Sequence, residues 1–189
     1  MFKSLLGNLN VMKNMRKKIA LDVDEVIADP IPKFLDAYEH FFGKRLKKED
    51  YWGQKVYDLP NARHIRDVLY DKGFFRDLPV MANSQKVVQE LAEKYDVYFT
   101  TSTMEFRHSL EDKYDWLVEH FPFIPPKQFV FVGDKSIIQA EYMIDDHVSN
   151  LIKFPGKGLL YTASYNIKET RFTRVNNWLE IRAFFENET

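Results

Sequence analysis

The run Lys18-Ile-Ala-Leu-Asp-Val-Asp24 constrains this chain more than any other segment. It is apolar without alternation and then ends in two carboxylates. An unbroken apolar strand suits a parallel sheet covered on both faces better than a half-exposed one. Residues 96–100, 128–132, 141–144 and 158–162 read as further strands of the same kind. Helical patterns stand between them: one opened by Ser84 as a cap and running through Val87, Val88 and Leu91, one over 110–120 with Tyr114, Leu117 and Val118 on its apolar face, and a closing amphipathic helix over 176–185. A short helical turn is expected over 136–140. The alternation predicts an α/β fold built on a doubly wound parallel sheet of Rossmann-like type. In such sheets ligands sit beyond the carboxyl ends of the strands. Polar residues gather there: Asp22 and Asp24, Thr101 and Ser102, Gly133 to Lys135, Asp145 and Asp146.

Residues 30–77 have another texture, helical, aromatic and charged, with a break at Tyr51-Trp52-Gly53 and no convincing strand. They read as a helical cap inserted after the first strand. The expected layout is therefore a flexible leader over 1–17, a core made of 18–29 and 78–189, and a cap over 30–77. A cap placed there would close over the strand-end acids and select the substrate. Phe34, Tyr51, Trp52 and Phe74 are its candidates for stacking on a ligand ring, with self-packing inside the cap as the competing role.

Bulk composition narrows the partners. The formal charge of −1, from 27 basic and 28 acidic residues, gives no broad basic surface for nucleic acid. With no cysteine, any metal must be held by oxygen or imidazole, and oxygen favours Mg²⁺. No run approaches the ~18 apolar residues of a membrane span. The expectation is a cytoplasmic protein acting on a small molecule, without nucleic acid or membrane as partner. Homodimer formation stays open.

Asp22 and Asp24 lie two positions apart, so an extended chain points both to one face. Carboxylates that close repel unless a cation sits between them. Mg²⁺ would resolve the repulsion and also bind phosphate oxygens. Asp145 and Asp146 at another strand end can complete the cage, leaving open which of them touches the metal. A single such Asp would more often be a helix cap or a solvated loop acid. Four of them at two strand ends, beside a Thr and a Lys, favour the metal reading.

These strings resemble the haloacid dehalogenase superfamily. Asp22-Val-Asp24-Glu-Val26 is similar to its first signature, Phe99-Thr100-Thr101-Ser102 to its second, Lys135 to its third and Ile144-Asp145-Asp146 to its fourth, all in order. Within it, Asp22-Val-Asp-Glu-Val-Ile-Ala-Asp29, Glu111-Asp-Lys-Tyr-Asp-Trp116, Gly133-Asp-Lys-Ser136, Tyr142-Met-Ile-Asp-Asp-His147 and Tyr161-Thr-Ala-Ser-Tyr-Asn166 resemble the 5′(3′)-deoxyribonucleotidases. Glu25 replaces the Gly of animal members, so the bacterial type is the better match. The resemblance implies Mg²⁺-dependent hydrolysis of deoxyribonucleoside 5′- or 3′-monophosphates through an aspartyl-phosphate. Asp22 would be the nucleophile and Asp24 the general acid/base, with its backbone carbonyl on the metal. Thr101, Ser102 and Lys135 would hold the phosphate, and Asp146 more than Asp145 would bind the metal, Asp145 orienting Lys135. Lys113 competes for the phosphate role, although on an amphipathic helix it reads first as solvated. Alternatives are a phosphatase for another small phosphoester, such as a sugar phosphate, and a non-catalytic nucleotide-binding module.

Overall fold

The computed structural model describes residues 16–188. Six strands form one parallel sheet: β1 (Lys18–Leu21), β2 (Asp96–Ser102), β3 (Phe129–Val132), β4 (Tyr142–Asp145), β5 (Lys157–Tyr161) and β6 (Thr173–Val175). Their spatial order is β3-β2-β1-β4-β5-β6. The chain thus starts in the middle of the sheet and winds outward both ways, and β1 lies between β2 and β4.

Pleating explains why β1 reads as continuously apolar. Ile19 and Leu21 join the larger core, with Val87, Val88, Trp116, Leu117 and Trp178. Ala20 points to the opposite face, with Met143, Leu151, Phe154 and Leu160. Both faces are dry, and each fully buried large side chain contributes about 1.5–3 kcal/mol. The helices covering them are α3 (Ser84–Lys94), α4 (Ser109–His120), α5 (Val148–Lys153) and α6 (Trp178–Glu186); α1 (Ile31–Phe42) and α2 (Lys48–Tyr51) precede them in the chain.

Several expectations need correction. Ser84 does not cap α3: Asn83 holds that position in the left-handed region, and the Ser84 hydroxyl is buried without a partner. The buried face of α4 is Asp112, Lys113, Trp116 and Leu117, whereas Tyr114 and Val118 are exposed. Strand β6 and helix α5 were not anticipated, being short and weakly patterned. The leader expected over 1–17 lies mostly outside the described residues. Its last two members are engaged: Arg16 Nη2 donates to the Ala92 carbonyl at 2.8 Å, and the Lys17 carbonyl accepts from the Asp96 N–H at 3.0 Å.

Residues 30–77 carry α1, α2 and two 3₁₀ turns, Val56–Asp58 and Arg63–Tyr70. Their two ends meet in a short antiparallel contact, Asp29 N–H to Pro79 O and Met81 N–H to Ile27 O, both 2.8 Å. The segment therefore leaves and rejoins the sheet through one narrow neck beside β1.

Helix α6 holds the loop that follows β1. Asn177 caps it, accepting from Leu179 N and Glu180 N at 3.0 Å each. The fully buried Trp178 then donates its indole N–H to the Val26 carbonyl at 2.8 Å. Trp178→Phe should keep most of the packing yet strand that carbonyl, lowering stability by about 1–3 kcal/mol. Urea unfolding should show a reduced midpoint at unchanged slope.

Candidate active site

Strand β1 ends at Leu21, so Asp22 and Asp24 do not share one face of an extended strand as expected. The chain turns at once: Ile27 N–H and Ala28 N–H both donate to the Val23 carbonyl at 2.9 Å, and Glu25 N–H donates to Ala28 O at 2.8 Å. Glu25 sits at φ 57, in the left-handed region. This tight loop aims Asp22 and Asp24 at different lysines.

Asp22 is buried, and its Oδ1 accepts from the Val23 N–H at 2.7 Å and from Lys135 Nζ at 2.7 Å. Lys135 also reaches Asp145 Oδ2 at 2.8 Å. Burial works against the charged amine, but Asp22 and Asp145 outweigh it and raise its pKa. Asp145 is saturated: Oδ1 accepts from His147 N–H at 2.8 Å, and Asn150 Nδ2 reaches both oxygens at 3.1 and 3.0 Å. Asp145 thus orients Lys135.

Lys113 is the largest surprise. It is 2 % exposed, and its Nζ donates to Asp24 Oδ2 at 2.5 Å and to Thr101 Oγ1 at 2.9 Å. The solvated reading is wrong, and the signal was present: Lys113 lies three and four positions before Trp116 and Leu117, on the buried face. Lys135 is therefore paired with Asp22 and Lys113 with Asp24.

Asp22, Asp145 and Asp146 each offer an oxygen within 4.8 Å of the others, all buried. Asp146 Oδ2 accepts from the Tyr165 hydroxyl, while Asp146 Oδ1 is buried without a partner. Burial first, then Glu25, Asp22 and Asp145, push its carboxyl well above the usual range. Burial likewise raises Glu25 to about 7, with Lys55 opposing and Asp24, Asp29 and Asp22 adding to the rise. An orphaned carboxylate oxygen inside an all-oxygen cluster is what a divalent cation would satisfy. The donor set fits such an ion.

A cavity of about 340 Å³ opens from these acids, within the range of small-molecule sites. Asp22, Asp24, Lys135, Asp146 and Ser102 line its floor. Its walls include Phe34, Phe75 and Phe106 with Tyr57, and two cations, Lys55 and Arg66. Of the expected ring contacts only Phe34 is there. Tyr51 and Phe74 are buried outside the lining, Phe74 packing on Phe34 at 5.5 Å between ring centroids. Trp52 is 41 % exposed and lies under Lys48 Nζ at 4.0 Å, away from the cavity. Phe75, Phe106, Lys55 and Arg66 were missed, because no periodicity marks residues brought together by 3₁₀ turns and loops. His147 also lines the cavity. Burial and then Lys55, 3.5 Å from its Nε2, lower its pKa to about 4.

The fold is of the haloacid dehalogenase-like type. A hydrolase of that fold from Streptococcus pneumoniae, SP0104, superposes with a TM-score of 0.57 at 12 % identity, covering 90 % of this chain and 98 % of its own. YfnB from Bacillus subtilis, solved bound to magnesium, superposes at 0.53 and 12 % identity, covering 90 % and 99 %. At the level of sequence, residues 16–186 match the family described as "5′ nucleotidase, deoxy (Pyrimidine), cytosolic type C protein". The 5′(3′)-deoxyribonucleotidase of Bacillus subtilis strain 168 is 41 % identical over 169 residues, 88 % of this chain and 97 % of its own. A relative from Staphylococcus aureus strain Mu50 is 44 % identical over 172 residues, covering 90 % and 96 %. The chain belongs to this nucleotidase family, and the non-catalytic alternative falls with that assignment.

The acid cluster has a consequence for stability. Carboxyls whose folded pKa is raised favour the native state below their unfolded pKa and lose that contribution as pH rises through the folded value. Metal-free protein should therefore lose melting temperature between about pH 4.5 and about 7, the window set by Glu25. A divalent cation that binds the ionised cluster should restore it, with a larger rise at pH 8 than at pH 5. Thermal denaturation with EDTA and with excess Mg²⁺ at both pH values checks this; an equal rise at both would contradict it.

Proposed function

We propose that this enzyme hydrolyses deoxyribonucleoside 5′- or 3′-monophosphates to nucleoside and phosphate, with Mg²⁺ and through an aspartyl-phosphate on Asp22, in the cytoplasm. The observation that carries this reading is the continuity of one cavity from Asp22 and Asp24 to an aromatic wall of Phe34, Phe75 and Phe106. A sugar phosphate would leave that wall without a partner, whereas base–aromatic stacking is worth about 1–3 kcal/mol per base. The names carried by the Bacillus relative and the matching family point the same way.

Both observed contacts of Asp22 fall on Oδ1, which leaves Oδ2 as the oxygen that attacks phosphorus. As that O–P bond forms, the bond to the sugar oxygen breaks, and Asp24 gives the departing oxygen a proton. Asp24 then takes a proton from the water that attacks the acyl phosphate, releasing phosphate and restoring Asp22. Lys113 fixes Asp24 for both transfers, and Lys135 sets a positive charge beside the nucleophile. The Thr101 hydroxyl, accepting from Lys113, keeps its own proton free to donate to a phosphoryl oxygen, with Ser102 beside it on the cavity floor. Mg²⁺ would be held by Asp22 and Asp146, with the Asp24 backbone carbonyl as the contact that the family resemblance adds. When bound, it would offset the carboxylate charge and polarise the phosphoryl oxygens.

Asp22→Asn should abolish turnover with the fold intact by circular dichroism, because an amide is a poor nucleophile. Steady-state phosphatase activity in that variant would refute the assignment.

Substrate recognition is tested with dTMP, dUMP, a hexose phosphate and p-nitrophenyl phosphate. Phe106→Ala should lower kcat/KM on the nucleotides by about 1–3 kcal/mol equivalent and spare p-nitrophenyl phosphate. Trp52→Ala should change neither. A preference for the hexose phosphate over dTMP and dUMP would overturn the nucleotide reading.

A further inference from the structure

Asp112 is a buried carboxylate with no place in the chemistry above. It is 7 % exposed, next to Lys113 in the first turn of α4. Its Oδ2 accepts from the backbone N–H of Gly73 at 2.9 Å, across to the far end of the cap segment. Gly73 has φ 87, a conformation that suits only glycine, and a Cβ there would meet no atom within 4 Å. The residue is glycine for backbone geometry and not for space.

Two positions beyond Gly73, Phe75 is buried and lines the cavity. Its ring faces Lys113, with Nζ 4.5 Å from the centroid. Lys113 in turn holds Asp24 and Thr101. The contacts close a ring: α4 grips the cap strap through Asp112, the strap places Phe75, Phe75 seats Lys113 of the same helix, and Lys113 aims Asp24.

We propose that Asp112 is a positioning residue that couples the aromatic wall of the cavity to the general acid/base. By fixing Gly73 it sets the Phe75 ring against Lys113, and so sets where the Asp24 carboxyl stands relative to the departing oxygen. A substrate ring resting on Phe75 is thereby registered at Asp24 through a single intervening side chain. The inference rests on the acid/base role of Asp24 proposed above, and it adds a residue that touches neither substrate nor metal.

The test uses substrates without a nucleobase, so that loss of stacking on Phe75 cannot mimic the effect. Phenyl phosphate has a poor leaving group that needs a proton, and p-nitrophenyl phosphate a good one that does not. With the intact enzyme and Mg²⁺, the readout is kcat/KM, which reports the steps through departure of the leaving group and not the later hydrolysis common to both substrates. Asp112→Ala should lower kcat/KM on phenyl phosphate by about tenfold or more, the scale of a misplaced acid, and leave kcat/KM on p-nitrophenyl phosphate within about twofold. Asp112→Asn keeps the acceptor oxygen while losing the charge, and should recover most of the activity. Gly73→Ala, which disturbs the same contact from the cap side, should reproduce the selective loss and stands in should Asp112→Ala not fold. Equal losses on both substrates, no loss, or an Asn variant no better than Ala would overturn the proposal; the last outcome would mark Asp112 as a charge serving the helix terminus. Asp24→Asn, run alongside, separates the two ideas. If it lacks leaving-group dependence, the acid/base role fails; if it shows it and Asp112→Ala does not, only the coupling fails.

Discussion

The structure depends on placing several carboxylates in a buried site at the ends of two adjacent parallel strands. Asp22 follows β1 directly, Asp145 ends the neighbouring β4, and Asp146 is the residue after it. Such a cluster is unfavourable on its own, since burial and mutual repulsion both act against ionisation. Two buried lysines offset part of it, and they arrive from different elements. Lys135 comes from a 3₁₀ turn after β3 and holds Asp22 and Asp145; Lys113 comes from α4 and holds Asp24. Asp146 is left with an unpartnered oxygen, which is where the divalent cation would act.

The fold keeps these roles separate by geometry. The tight loop after Asp22, anchored from behind by the Trp178 indole, turns Asp24 away from Lys135 and toward Lys113. Asp22, the proposed nucleophile, is thus tied beside Lys135 and Asp24 beside Lys113. Residues 30–77 contribute Phe34, Tyr57 and Phe75 with Lys55 and Arg66 to the cavity walls, Phe106 comes from the loop after β2, and the narrow neck beside β1 brings the segment over the same acids.

Much of this was legible in the sequence, for identifiable reasons. Fully buried parallel strands have no alternation, so β1, β2 and β4 announce themselves, and their acids stand where the apolar runs stop. The order of the four signatures carried the family resemblance. Lys113 was misread because Tyr114, Leu117 and Val118 offered a plausible apolar face; burial of Asp112 and Lys113 reverses that face, and only the polar partners make such burial tolerable. Trp52 looked like a ring for stacking because large aromatics beside a glycine suggest a pocket. Tertiary placement sends it outward onto Lys48, and the cavity takes Phe75 and Phe106 instead. Those residues sit on turns without a repeat, where no pattern in the chain predicts who faces whom.

The central claim is that Asp22 carries the phosphoryl group between two displacements, with Asp24 serving both. Rapid acid quench of the Asp24→Asn variant with ³²P-labelled p-nitrophenyl phosphate, whose leaving group needs no proton, and Mg²⁺, followed by peptide mapping, addresses it most directly. Slowed hydrolysis of the intermediate should let label build up on the protein, hydroxylamine-sensitive and confined to the peptide containing Asp22. Phosphate release with no protein-bound label at any time, or label on a residue other than Asp22, would contradict the account.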